Sequence, residues 1–318
     1  MISDTFWECR LGMIRLYNYI LSPVLKPLSL LILFSFVSDY SYGQNFVGKL
    51  LSSENKKPIE YANIGLSNSK YGTYSNDLGL FSFDKKFLSD STSILIRAIG
   101  FINRSVGFSS LHYSDTLVIL MDPQVYPLEE IPVLAKRPSK VLIGKKRLPP
   151  KALGWSFAPG IGQNRLGKSI AVLININKNH LPINLYSASV AVIENPFNEG
   201  LFRAQFMSVH PKTGLPDSSL TKQNFITSFG DKEGWVTFDF GNKSPALELE
   251  QFYLVFENLN DSVYDRNPEQ SNSPYPLFLL KGFLTGKDKI LFSNASLSTW
   301  EEHKEDLVFN LRYTYVND

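Results

Sequence analysis

The sequence predicts an all-β protein, a seven-stranded β-sandwich followed by a larger, jelly-roll-like β-sandwich. Three observations carry this expectation. From Asn45 onward, short runs rich in Val, Ile, Phe and Tyr alternate with clusters of Gly, Pro, Asn, Asp and Ser, which is how strands and turns are punctuated. Those runs show no helical apolar period. Aromatic residues make up 13% of the chain, as expected where side chains pack across pleated sheets. The length of 318 residues leaves room for about two domains. Hydrophobic residues at 43% and charged residues at 19% exclude a disordered chain. A net charge of only +2 supplies no bulk field for holding nucleic acid.

Residues 1–43 read as a secretory signal peptide. Arg10, Arg15 and Lys26 precede an apolar run from Leu28 to Val37, and the small residues Ser41 and Gly43 follow it. A basic flank, a short apolar core and small residues before the cut are the three parts of such a leader. The core is far shorter than the roughly 20 residues that cross a bilayer as a helix. Cleavage is expected between Gly43 and Gln44, with translation starting at Met1 or Met13. Three basic residues and three acidic ones (Asp4, Glu8, Asp39) leave together, so the net charge is unchanged. Cys9, the only cysteine, leaves too. The exported chain is then expected to fold without disulfides, in the periplasm, at the outer membrane or as a secreted protein.

Residues 44–123 divide into about seven strands. Phe46–Leu51 comes first, then Ile59–Leu66, Tyr71–Ser75 and Leu80–Phe83, the last two flanking Asn76–Gly79 as the turn of a hairpin. Ile94–Ile99, Phe101–Phe108 and Thr116–Met121 complete an expected antiparallel sandwich. Gly79 is placed to take positive φ in its turn, and Phe81 and Ile64 to fill the core. The order Val47-Gly48, Pro58-Ile59 with Ala62-Asn63-Ile64, Gly72-Thr73-Tyr74-Ser75-Asn76 with Gly79-Leu80-Phe81, and Gly100-Phe101 resembles the carboxypeptidase regulatory-like domain. That resemblance covers about a quarter of the chain. It implies a transthyretin-like sandwich serving as a non-catalytic accessory module. Leu128–Val133 is similar to the segment that follows this domain in TonB-dependent receptors, but too few residues remain for a receptor's 22-stranded barrel.

Residues 124–151 read as a Pro-containing linker. Between Lys136 and Lys151 it carries seven basic residues and no acidic one. Its two readings are a solvated linker and a peripheral contact with anionic headgroups or an acidic polymer.

Residues 152–318 present nine strand candidates: Ser169–Ile176, Tyr186–Ile193, Leu201–Val209, Phe225–Ser228, Trp235–Phe240, Phe252–Leu259, Pro276–Leu280, Ile290–Phe292 and Leu307–Val316. Strands without helices suggest a jelly-roll-like sandwich. The segments Gly200–Gln205, Thr213–Pro216, Gly234–Phe240 and Phe252–Glu257 resemble a domain of unassigned activity found behind the regulatory-like module in Gram-negative envelope proteins.

Candidate chemistry is sparse. Gly162–Ser169 fits the phosphate-loop pattern G-x-x-x-x-G-K-[ST], but the β-branched run after it is expected to be a strand, whereas phosphate cradling needs a helix N-terminus. No nucleotide or other cofactor is expected. None of His112, His180, His210 and His303 has a Glu three residues on, so the zinc-peptidase pattern is missing. Glu194, Asp239 and Glu257 are carboxylates in or beside strands with no partner fixed by spacing, so no hydrolytic pair is named. Trp155 and Trp300 are candidate platforms for stacking a sugar, and Trp235, in an alternating strand, is assigned to the core. Ser91, Thr116 and Ser262 sit in Asp-Ser/Thr triplets that some Gram-negative bacteria O-glycosylate after export.

These readings predict an exported, non-catalytic envelope binding or scaffold protein whose partner is an envelope protein or a glycan. The alternative is a glycan-binding or carbohydrate-active protein acting through the C-terminal sandwich.

Overall fold

The computed structural model describes residues 45–67, 72–84, 87–110, 117–124, 138–148, 155–157, 169–194, 200–231, 233–241, 246–259, 277–281, 289–293, 300–303 and 306–316. The leader with its Gly43–Gln44 junction, Thr116, Ser262 and the phosphate-loop-like residues 162–168 lie outside them.

Seven strands build the N-terminal sandwich: β1 (Asn45–Ser52), β2 (Asn63–Leu66), β3 (Gly72–Tyr74), β4 (Leu80–Asp84), β5 (Ser93–Arg97), β6 (Arg104–Gly107) and β7 (Leu117–Met121). They form a three-stranded sheet, β4-β1-β7, and a four-stranded sheet, β3-β2-β5-β6. Leu50, Ile119, Phe81 and Phe83 from the first sheet meet Ile64, Leu66, Ile94 and Ile96 from the second in one apolar core. Gly48 is required there, because a Cβ at this position would come within 2.2 Å of the Phe81 ring.

Three details differ from the sequence expectation. The sandwich is not wholly antiparallel, since β1 and β7 run parallel from Gly48↔Leu117 to Ser52↔Met121. The turn at 76–79 does not close a hairpin, because β3 and β4 belong to different sheets. It is a corner instead. Asn76 Oδ1 accepts from the backbone N–H of Leu78 and Leu80, and Gly79 takes φ +73°, as its assignment required. Finally, the strand expected over 59–66 starts only at Asn63. Residues 58–62 bend, with Tyr61 at φ +53°, an uncommon conformation for a bulky residue. Ser75 holds the bend, its Oγ donating to the Ile59 carbonyl (2.7 Å) and accepting from Ala62 N–H (2.9 Å).

The second sandwich comprises β8 (Ser139–Gly144), β9 (Trp155–Phe157), β10 (Ser169–Asn175), β11 (Ile183–Glu194), β12 (Gly200–Val209), β13 (Pro216–Ser219), β14 (Phe225–Phe229) and β15 (Gly234–Asp239), then β16 (Ala246–Leu247), β17 (Gln251–Asn258), β18 (Leu277–Lys281), β19 (Ile290–Ser293), β20 (Trp300–His303), β21 (Asp306–Leu307) and β22 (Phe309–Tyr315). One sheet runs β13-β12-β17-β10-β19-β20, with β14 also on β12. The other runs β21-β18-β11-β22-β8, with β15, β16 and β9 attached. Inward residues such as Ile170, Phe206, Phe252 and Phe256 pack against Val190, Phe238, Phe309 and Leu311 of the facing sheet.

No α-helix occurs among the described residues, and the fold is all-β. The stretch read as a linker contributes β8, which pairs with β22 from Ser139↔Tyr315 to Gly144↔Asn310. Its alternating V-L-I pattern completes a sheet edge, so part of the linker belongs to the second sandwich. Lys140, Lys145, Lys146 and Arg147 all remain exposed. Strands β13 and β20 were missed by sequence reasoning because both are short and polar. Residues Phe46–Asp318 form one compact unit.

Candidate functional site

Alternation along β12 sends Phe202, Ala204 and Phe206 into the core of the second sandwich and Arg203, Gln205 and Met207 to the outer face. That outer face is covered: Arg203 and Glu257 are 2% and 0% exposed. The two residues are directly paired across β12 and β17. Arg203 Nε donates to Glu257 Oε2 at 2.5 Å, and Gln205 Nε2 donates to the same oxygen at 2.8 Å. Ser169 Oγ donates to Glu257 Oε1 at 3.1 Å. Two buried charges are thus opposed and hydrogen-bonded, the condition under which burial of a carboxylate is tolerated.

Two further guanidinium contacts, to Tyr61 and Tyr74, reach the first sandwich. Arg203 Nη1 donates to the Tyr61 carbonyl (2.5 Å) and to Asn224 Oδ1 (3.2 Å). The guanidinium carbon lies 5.7 Å from the centroid of the Tyr74 ring, within cation–π range. The left-handed bend at Tyr61 therefore has a visible consequence: it presents a carbonyl to an arginine 142 positions away.

Beside this joint lies a cleft of about 540 Å³, walled on one side by Asn63, Arg97 and Phe101 and on the other by Arg203, Gln205 and Asp217. Asn63 is 2% exposed, and neither Oδ1 nor Nδ2 has a hydrogen-bond partner among the described residues. Burial draws the Arg97 guanidinium below its ordinary range, and the neighbouring Asp217 carboxylate partly opposes that shift.

The sequence-nominated residues fall elsewhere. Trp300, on β20, is half-buried against an apolar cluster containing Met207, Tyr253 and Leu291, with its indole Nε1 buried. Trp155 lies on β9, paired to β18. Trp300 is not among the residues that line the cleft. Trp235 is half-buried against Ala191 and Val308. Ser91 is exposed in the turn before β5. His180 Nδ1 lies 2.7 Å from the Tyr313 hydroxyl, and its ring stacks on Tyr315. His210 Nδ1 accepts from Lys212 and Thr213 N–H. Among the described residues, no group of three or more His, Cys, Asp or Glu converges to hold a metal. The segment following Lys168 is strand β10, and the Ser169 hydroxyl that a phosphate loop would commit to a cation is bonded to Glu257 instead. Of the carboxylates considered for hydrolysis, Glu257 is locked in that network, while Asp239 is exposed and accepts from Gly241 N–H.

No family model and no curated protein matches the chain. Among solved structures it is similar to a clostridial cysteine protease, Cwp84 after propeptide cleavage, at 12% identity and a TM-score of 0.35, over 56% of this chain and 40% of that one. It is also similar to BcpA, the major pilin subunit of Bacillus cereus, at 9% identity and a TM-score of 0.17, over 83% and 69% of the respective chains. Neither likeness bears on the chemistry of the site.

Proposed function

We propose that the protein is an exported, non-catalytic binding protein of the cell envelope, whose ligand seat is the cleft where the two sandwiches meet. One observation carries this reading: a buried carboxamide, Asn63, stands in the wall of a cleft with no hydrogen-bond partner among the described residues. Buried polar groups are nearly always bonded, and an exception points to a strain reservoir or a site. Cleft walls drawn from two packed β-units are a common setting for ligand sites. The leader-like residues 1–43 and the resemblance of residues 44–123 to an accessory module support the exported, non-catalytic part of the reading.

The test is a thermal-shift screen of the purified protein against neutral and anionic polysaccharides, short peptides and anionic vesicles. It is run beside an assay for newly released reducing ends. Stabilisation by at least one probe, with no product formed, is the expected result. Product release by the purified protein refutes the non-catalytic reading, and a full-length protein beginning at Met1 or Met13 in the cytoplasm refutes export.

A further inference from the structure

The cleft's chemistry narrows the ligand class. On β2, Asn63 lies directly opposite Tyr74 of β3 and Arg97 of β5. Directly paired residues share a face of the sheet, and Ile64 and Leu66 take the opposite, core-facing side. Asn63 and Arg97 therefore stand together on the face that meets β12.

Charge in the cleft is balanced. Arg203 is neutralised by Glu257 at 2.5 Å, and Asp217 lies near enough to Arg97 for its charge to be felt. Among the described residues, an anion or a cation entering the cleft meets no unopposed counter-charge, so little rewards the desolvation of a charged ligand. What the walls offer in quantity is amides and hydroxyls: Asn63, Asn103, Gln205, Ser218 and Ser219. A carboxamide donates and accepts in one plane, and a sugar hydroxyl also does both. Two neighbouring hydroxyls can therefore satisfy Oδ1 and Nδ2 of Asn63 at once when the carboxamide, buried in the wall, turns to meet them. Phe101 and Met207 add apolar wall for the C–H faces of a pyranose. The volume, about 540 Å³, is that of a small-molecule site.

We propose that this cleft binds a short neutral glycan, with the Asn63 carboxamide bonded to a pair of adjacent sugar hydroxyls. The inference rests on the reading of the cleft as the ligand seat and adds the chemical class.

The experiment uses the purified protein with three probe sets. The first contains glucose, mannose, galactose and N-acetylglucosamine with their short oligomers, the second polygalacturonate oligomers, and the third a capped alanine tripeptide. Binding is followed by saturation-transfer NMR and calorimetric titration. At least one neutral sugar should bind saturably. Asn63→Leu should weaken that binding tenfold or more while leaving the ligand-free melting temperature equal to or above that of the parent, since it removes an unpartnered buried amide. Asn63→Ser serves the same purpose if the leucine variant does not fold. Tyr186→Ala, an exposed aromatic on the other sheet, should leave affinity unchanged. Sugar binding that is indifferent to Asn63 places the glycan elsewhere and overturns the proposal. Binding confined to polygalacturonate or the peptide, and sensitive to Asn63, keeps the cleft as a ligand seat but refutes the neutral glycan. Silence across all three sets, with no thermal shift in the wider screen, refutes both.

Discussion

Arg203 and Glu257 are charged, buried and mutually dependent, and such a pair is sensitive to losing one member. Arg203→Ala leaves Glu257 with Gln205 and Ser169 as its donors among the described residues, and should cost about 3–5 kcal/mol. A lower urea midpoint with an unchanged slope would measure that loss. The double change Arg203→Met with Glu257→Leu should recover most of it, because no charge is then left to be solvated. Equal losses in the single and double variants would show that the pair is not the source of the effect. Tyr253 gives a second handle. Burial, then the charge of Glu302, pushes its phenol up to about 12, and its hydroxyl donates to the Gly214 carbonyl at 2.6 Å. The folded value lies above the unfolded one, about 10. Above pH 10 the unfolded chain therefore releases this proton first, and stability falls as pH rises from 10 to 12. Tyr253→Phe should abolish that component of the alkaline loss, followed by denaturation midpoints together with phenolate absorbance. Arg203 also shows where sequence reading stops. Alternation places Phe202, Ala204 and Phe206 in the core, as observed, and it sends Arg203 and Gln205 outward. Periodicity identifies the faces of a strand but not what lies over them. Here another sandwich does.

At the scale of elements, the seven N-terminal strands were legible because each is short, β-branched or aromatic, and bounded by turn residues. Their sheet assignment was less so. Asn76–Gly79 has the composition of a hairpin turn, yet the same residues turn a corner between sheets, since Asn76 closes its own loop whichever strands flank it. β8 was obscured by its basic surroundings, and only its pairing with the distant β22 makes it a strand. That edge depends on Gly144, at φ +90°, where a Cβ would come within 2.3 Å of the Phe309 carbonyl oxygen. Gly144→Ala should therefore cost about 1–3 kcal/mol through backbone strain, releasing β8 before the rest of the sheet. Hydrogen exchange would register faster exchange at β8 and β22 amides, with β12 and β17 unchanged. A uniform change across both sheets would contradict the picture of β8 as an independently attached edge.

At the scale of the molecule, the cleft exists only because residues from both sandwiches face one another, and the sequence held no sign of it. Asn63 looks like an ordinary polar residue beside a strand, and its significance arises from Arg97 across the ladder and from β12, 140 positions on. The first sandwich is small, closed by no disulfide, and has a modest core, so its stability should draw on the second through Tyr61, Tyr74 and Arg203. Scanning calorimetry of the parent and Arg203→Ala tests this union most directly. One cooperative transition is expected for the parent. The variant should show an earlier transition for the first sandwich, separated from that of the second. Two independent transitions in the parent, with the earlier one indifferent to Arg203, would contradict the claim that the two sandwiches form one unit around a built cleft.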